Sequence, residues 1–217
     1  MIRRFREPDN GLTHLAGALL AVAACVILVQ RGVDAGTPRH LIAFGIFGLS
    51  LVGLYTASAL YHSLPLGPVG LDRLLRLDCT MVFVLIAGSY TPFCLIALQG
   101  VWRWGLLIAV WVLAIAGSVL KLRSMDAPIW LSTALYVGLS WMAVLAAPAF
   151  IAALPLEGVA WLIAGGVIYT LGAVIFVIER PRLRPGVFGS HALWHLLVIA
   201  GSGCHFWAVA RYLPSIA

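Results

Sequence analysis

Seven apolar runs organise the chain, at roughly 12–30, 40–62, 77–98, 101–120, 129–151, 158–178 and 188–210. About 20 helical residues cross a hydrocarbon core, so each run is the right length for one span. The edges fall at charged residues, prolines and glycines, and the links between runs are short. One link, LPLGPVGLDRLLRLD at 64–78, mixes Arg and Asp with leucines and has the composition of a segment lying along the interface before the third span. No stretch has the composition of a soluble domain, a flexible linker or a low-complexity tail, and no internal repeat is visible. The pattern predicts an all-α integral membrane protein, a seven-transmembrane helix bundle forming a single domain over residues 1–217.

Composition agrees. The chain is 62% hydrophobic and 10% charged, whereas a soluble domain carries about 25% charged residues. The N-terminal MIRRFR followed by an apolar run resembles a secretory signal, and VAAC at 22–25 resembles a lipoprotein cleavage box. The run continues past Cys25 to Val29, however, which suits a spanning helix better than a short signal core. Cys25, Cys79, Cys94 and Cys204 form no C-x-x-C pair and lie in or beside spans, so they read as small apolar residues.

Basic residues set the orientation. With a cytoplasmic N-terminus, that side collects Arg3, Arg4, Arg6, Arg73, Arg76, Lys121, Arg123, Arg180, Arg182 and Arg184, against Arg31, Arg39, Arg103 and Arg211 outside. This asymmetry places the N-terminus in the cytoplasm and the C-terminus outside. The net charge of +6 then belongs to topology and anionic headgroups. It calls for no nucleic acid, and no recognition motif for one is present.

Orientation gives the histidines a depth. His191 and His195, four residues apart, share one helix face in the first turns of span seven. His62 ends span two on the same side, while Asp78 opens span three and His14 opens span one there as well. Intramembrane ionisable groups are costly and tend to mark function. Three converging imidazoles, His62, His191 and His195, form a typical ligand set for zinc with a fourth position left open. Asp78 is the candidate to orient or deprotonate a water there, and Ser58, one turn before His62, is a candidate hydrogen-bonding partner to the site. Cys79 is the alternative ligand, although it points about 100° from Asp78 around the helix. His205, about 15 Å further along its helix than His195, is too far to share the metal and is expected to bond a neighbouring helix. His40 reads as an interfacial residue with its tip in water. His14, with Glu7 and Asn10 before it, fits either a cluster supporting the site or a polar interfacial cap, and spacing favours the cap.

The chain resembles the bacterial hemolysin III family, related to the progestin and adipoQ receptors, through EPDNGLTHLAG at 7–17, SALYHS at 58–63, RLDCTMVFVLIAGSYTP at 76–92 and SHALWHLLVIAGSGCHF at 190–206. The resemblance covers nearly the whole chain and implies a bacterial inner (plasma) membrane protein of seven helices. It also implies zinc on His62, His191 and His195, with Asp78 and Ser58 around the metal-bound water. Three functions come with it, and a fold does not choose among them: a zinc-dependent hydrolase of an amide or ester bond in a membrane lipid, a non-enzymatic regulator of membrane composition or energetics with a structural zinc, and a pore-forming cytolysin. The pore has least support, since the spans carry no repeated polar stripe to line a water-filled path. The implied partner is a membrane lipid, as substrate or ligand.

Overall fold

The structure is a computed structural model that describes residues 6–181 and 188–216. Arg3, Arg4, Arg182 and Arg184, which contribute to the charge asymmetry, lie outside the described residues. Among the described residues eight α-helices follow one another: α1 (Pro8–Asp34), α2 (Pro38–Ser63), α3 (Pro68–Pro92), α4 (Gly100–Arg123), α5 (Ile129–Ser140), α6 (Ala147–Ala153), α7 (Leu156–Ile178) and α8 (Ser190–Tyr212). They make seven candidate membrane spans, α5 and α6 sharing the fifth. Exposed leucines, isoleucines and valines such as Leu19, Leu49, Ile108, Leu145 and Leu171 cover the outside, an apolar belt of the extent that only a bilayer satisfies.

Most boundaries come from proline. Pro8, Pro38 and Pro68 each sit in the first turn of their helix, where a missing N–H costs nothing because that donor has no helical partner. Helix α3 therefore starts at Pro68, about nine residues before the expected edge of the span. The link 64–78 does not form a separate interfacial segment: from Pro68 onward it is the first turns of α3. At the other end Pro92 interrupts the ladder and Phe93–Ala97 unwinds into a π turn closed by Leu98 N–H to the Phe93 carbonyl, 3.0 Å.

The fifth span departs most from a simple reading. Its apolar run is continuous, yet Trp141–Ala146 is a 3-10 turn between α5 and α6. Pro148, in the first turn of α6, supplies no N–H to the preceding turn. Tyr90 of α3 satisfies groups that the break exposes: its hydroxyl donates to the Ser140 carbonyl at 2.6 Å and accepts from the Ala143 N–H at 2.8 Å. Within lipid such backbone groups need a protein partner.

Helix α1 packs along α2, α2 along α3, α3 along α4, α7 along α8, and α8 returns to α1. Small residues permit the closest approach. A Cβ at Gly48 of α2 would lie 2.9 Å from the Cα of Cys25 on α1, so any larger residue forces those helices apart. Helix α5 meets its neighbours α3, α4 and α7 more sparsely, and between them a cavity of about 420 Å³ remains. All four cysteines are free. His40 does not hold its ring in water: it is buried, with Nδ1 2.6 Å from Thr37 Oγ1 and Nε2 3.2 Å from the Leu213 carbonyl.

Candidate metal centre

Helix α8 presents His191 and His195 one turn apart, with ring centroids 4.6 Å from each other. The last turn of α2 brings His62 to 5.0 Å from each of them. Ring nitrogens of all three lie within 4.8 Å of one another, a separation that one ion reaches after side-chain shifts of about an ångström. His62 is 2% exposed and His195 0%.

The nitrogens facing away from this meeting point are held. His62 Nδ1 is 2.5 Å from Glu7 Oε2. His195 Nδ1 is 3.0 Å from Thr13 Oγ1 and 3.2 Å from the Asn10 carbonyl. The Thr13 hydroxyl donates its own proton to that same carbonyl, 2.9 Å, so its oxygen accepts. A carboxylate and a carbonyl also accept only, and each Nδ1 therefore carries the hydrogen. In the neutral rings this leaves the lone pairs on Nε2. Among the described residues, Nε2 of His191 and of His195 are buried without any hydrogen-bond partner, a state that buried polar atoms rarely tolerate. Two orphaned ring nitrogens beside a third imidazole are a donor set that could hold a metal ion.

The N-terminal segment supplies the surrounding bonds. Glu7 accepts from Asn10 Nδ2 at 3.0 Å and pairs with Arg6 at 3.1 Å. Partial burial pushes the Glu7 carboxyl up, but the bonds from Asn10 and His62 and the nearby positive charges outweigh it, and the group lies below its ordinary range. His14 is not an interfacial cap. It is 2% exposed, and its ring stacks on His195 at 3.5 Å between centroids. Among the described residues neither of its nitrogens has a partner. Thr13 and Glu7 carry contacts that spacing along the chain does not reveal. The signal available was their place in the polar EPDNGLTH stretch.

Asp78 lines a cavity that the three imidazoles do not line. Asp78 lines the 420 Å³ cavity together with His14, and Ser58 is buried on α2. His62, His191 and His195 are not among the cavity's lining residues. His14 thus belongs to both places, facing the cavity and stacked on a candidate ligand. Cys79 lines the cavity too but is not part of the three-histidine group. His205 packs against Gly165 and edge-on to Tyr169 at 5.3 Å, both on α7, with its Nδ1 unpaired.

Residues 2–206 match the family described as Haemolysin-III related. The chain belongs to this family. It is 36% identical to "Hemolysin-3" of Bacillus cereus over 208 residues, 95% of this chain and 91% of that one. It is 34% identical to the "Hemolysin-3 homolog" of Bacillus subtilis strain 168 over 210 residues, 97% and 95% of the two chains. More distantly it is 26% identical to the "Adiponectin receptor protein" of Drosophila melanogaster over 228 residues, covering 97% of this chain and 51% of the receptor. With its seven spans this member of the haemolysin-III related family is a multi-pass bacterial membrane protein, related to adiponectin receptors and carrying a histidine cluster able to hold a metal.

Proposed function

We propose that this protein is a zinc-dependent hydrolase of an amide or ester bond in a membrane lipid. The observation that carries the reading is the pair of buried, unpartnered Nε2 atoms on His191 and His195 beside His62, within a bundle that also encloses a largely apolar cavity. His62, His191 and His195 would hold the ion, and three neutral ligands leave it a fourth position and its full charge. Bound there, zinc supplies Lewis acidity, for activating water and polarising a carbonyl.

The remaining work falls to side chains. Glu7, Thr13 and the Asn10 carbonyl fix the tautomer and direction of the histidine rings. The apolar walls accept acyl chains and exclude bulk water. Asp78, in the cavity wall, takes the proton of the attacking water and returns it to the leaving amine or alcohol. Ser58, buried on α2 one turn before His62, would steady that carboxyl or donate to the oxyanion. Movement of His14 would join the cavity to the histidine cluster, since its ring faces both.

One observation favours a second reading, a non-enzymatic regulator of membrane lipid homeostasis with a structural zinc: the three histidines do not line the cavity. The two readings part at Asp78. Under the hydrolase reading, purified Asp78→Ala keeps its zinc and loses turnover of ceramide-like and other acyl lipids. Loss of zinc from Asp78→Ala, with no turnover of a broad lipid panel by the wild type, favours the structural site.

A further inference from the structure

Lys121 lies near the C-terminal end of α4, where a lysine normally extends its ammonium to the interface and leaves only its stem in the apolar layer. Here it does the opposite. The residue is 8% exposed and lines the cavity, with Nζ donating to Ser132 Oγ of α5 at 2.6 Å. Among the described residues no carboxylate lies within ion-pair distance of it. The carboxyl of Asp78 lines the same cavity but makes no ion pair with Lys121. The backbone carbonyls of Lys121 and Leu122 are occupied by Arg76 Nη1, at 3.4 and 3.0 Å, so this end of α4 is already capped by another cation. A buried ammonium with one neutral partner keeps two N–H donors and its whole charge for something else.

The rest of the cavity says what that is. Leu85, Ile86, Val137, Ala173 and Val198 line the same cavity. A single cation at one end of an apolar slot matches an amphiphile with an anionic head and an acyl tail.

We propose that the cavity binds a lipid with one anionic headgroup, carboxylate or phosphate, whose charge is met by Lys121 Nζ and the Ser132 hydroxyl while its chain runs along the apolar wall. This extends the lipid-hydrolase reading to the headgroup of the lipid, but it concerns binding and requires no turnover. A chain that hydrolyses nothing still gives a decisive answer.

The test is equilibrium binding to the full-length protein in a non-ionic detergent, with palmitate, palmitoyl lysophosphatidate, the neutral hexadecanol, and inorganic phosphate alone. The wild type should bind one or both anionic lipids about tenfold or more tightly than hexadecanol, the range expected for a hydrogen bond to a buried charge. The preferred lipid identifies the headgroup as carboxylate or phosphate. Lys121→Met should reduce that preference to near unity, Ser132→Ala should reduce it in part, and Lys121→Arg should retain it. If Lys121→Met does not fold, Lys121→Gln removes the charge while keeping a polar tip. An undiminished preference in the uncharged variant, equal binding of hexadecanol by the wild type, or inorganic phosphate binding as tightly as the lipids would each overturn the proposal.

Discussion

The imidazole of His14 lies flat on that of His195, ring centroids 3.5 Å apart and planes 16° apart, while the same ring faces the cavity that Asp78 lines. One residue from the first helix thus separates the two halves of the proposed site. Because its nitrogens are unpartnered, their role is separable from that of the ring. His14→Phe keeps an aromatic face against His195 and removes both nitrogens. Zinc content should be unchanged and lipid hydrolysis should fall by roughly a hundredfold, the scale of losing one hydrogen-bonding group at a reacting centre. Unchanged turnover would reduce His14 to packing.

Under the proposed function Glu7 would act on the metal through His62, whose Nδ1 it holds. Glu7→Gln removes the carboxylate that holds the Nδ1 hydrogen, and zinc affinity should fall by about tenfold to a hundredfold. Competition with a chelator of known affinity measures it. Arg6 should matter far less, since its contact is with the outer carboxylate oxygen of Glu7 and is partly exposed.

Tyr90→Phe leaves the backbone of the broken fifth span without its partner. Stability should fall by about 1–3 kcal/mol, the cost of buried polar groups left unpaired, seen as a lower unfolding midpoint in detergent with zinc content unaltered. A midpoint equal to that of the wild type would mean that water or lipid headgroups satisfy Ser140 and Ala143.

The spans were legible because hydrophobic length alone defines them: His62 and His191 fall at span ends in the sequence and in the structure alike, whereas Asp78 lies ten residues inside α3 because that helix begins at Pro68. The i, i+4 pair on α8 was legible for the same reason, as helix periodicity fixes a shared face. The contacts that hold those rings were not. Glu7 meets His62 across 55 positions and Thr13 meets His195 across 182, and no local period encodes such pairings. The 3-10 turn at Trp141–Ala146 left one sequence signal, Pro148, but its position depends on the Tyr90 hydroxyl, which belongs to another helix. Spacing favours a cap for His14, whereas the ring is buried on His195, because a polar residue near a helix end looks alike from sequence whether its face meets water or a neighbouring ring.

Topology is open to direct measurement. The basic asymmetry predicts a cytoplasmic N-terminus and an external C-terminus. Reporter fusions at the two ends should report opposite sides, and equal signals would remove the argument that sets His62, His191 and His195 on the cytoplasmic side.

The central claim is that His62, His191 and His195 bind zinc, and elemental analysis of the purified protein tests it most directly. The account predicts one zinc per chain in the wild type, a lower content in each single His→Ala variant together with lower stability, since metal binding adds to the free energy of the folded state, and none in the triple variant. A triple variant that retains its full zinc complement would contradict it.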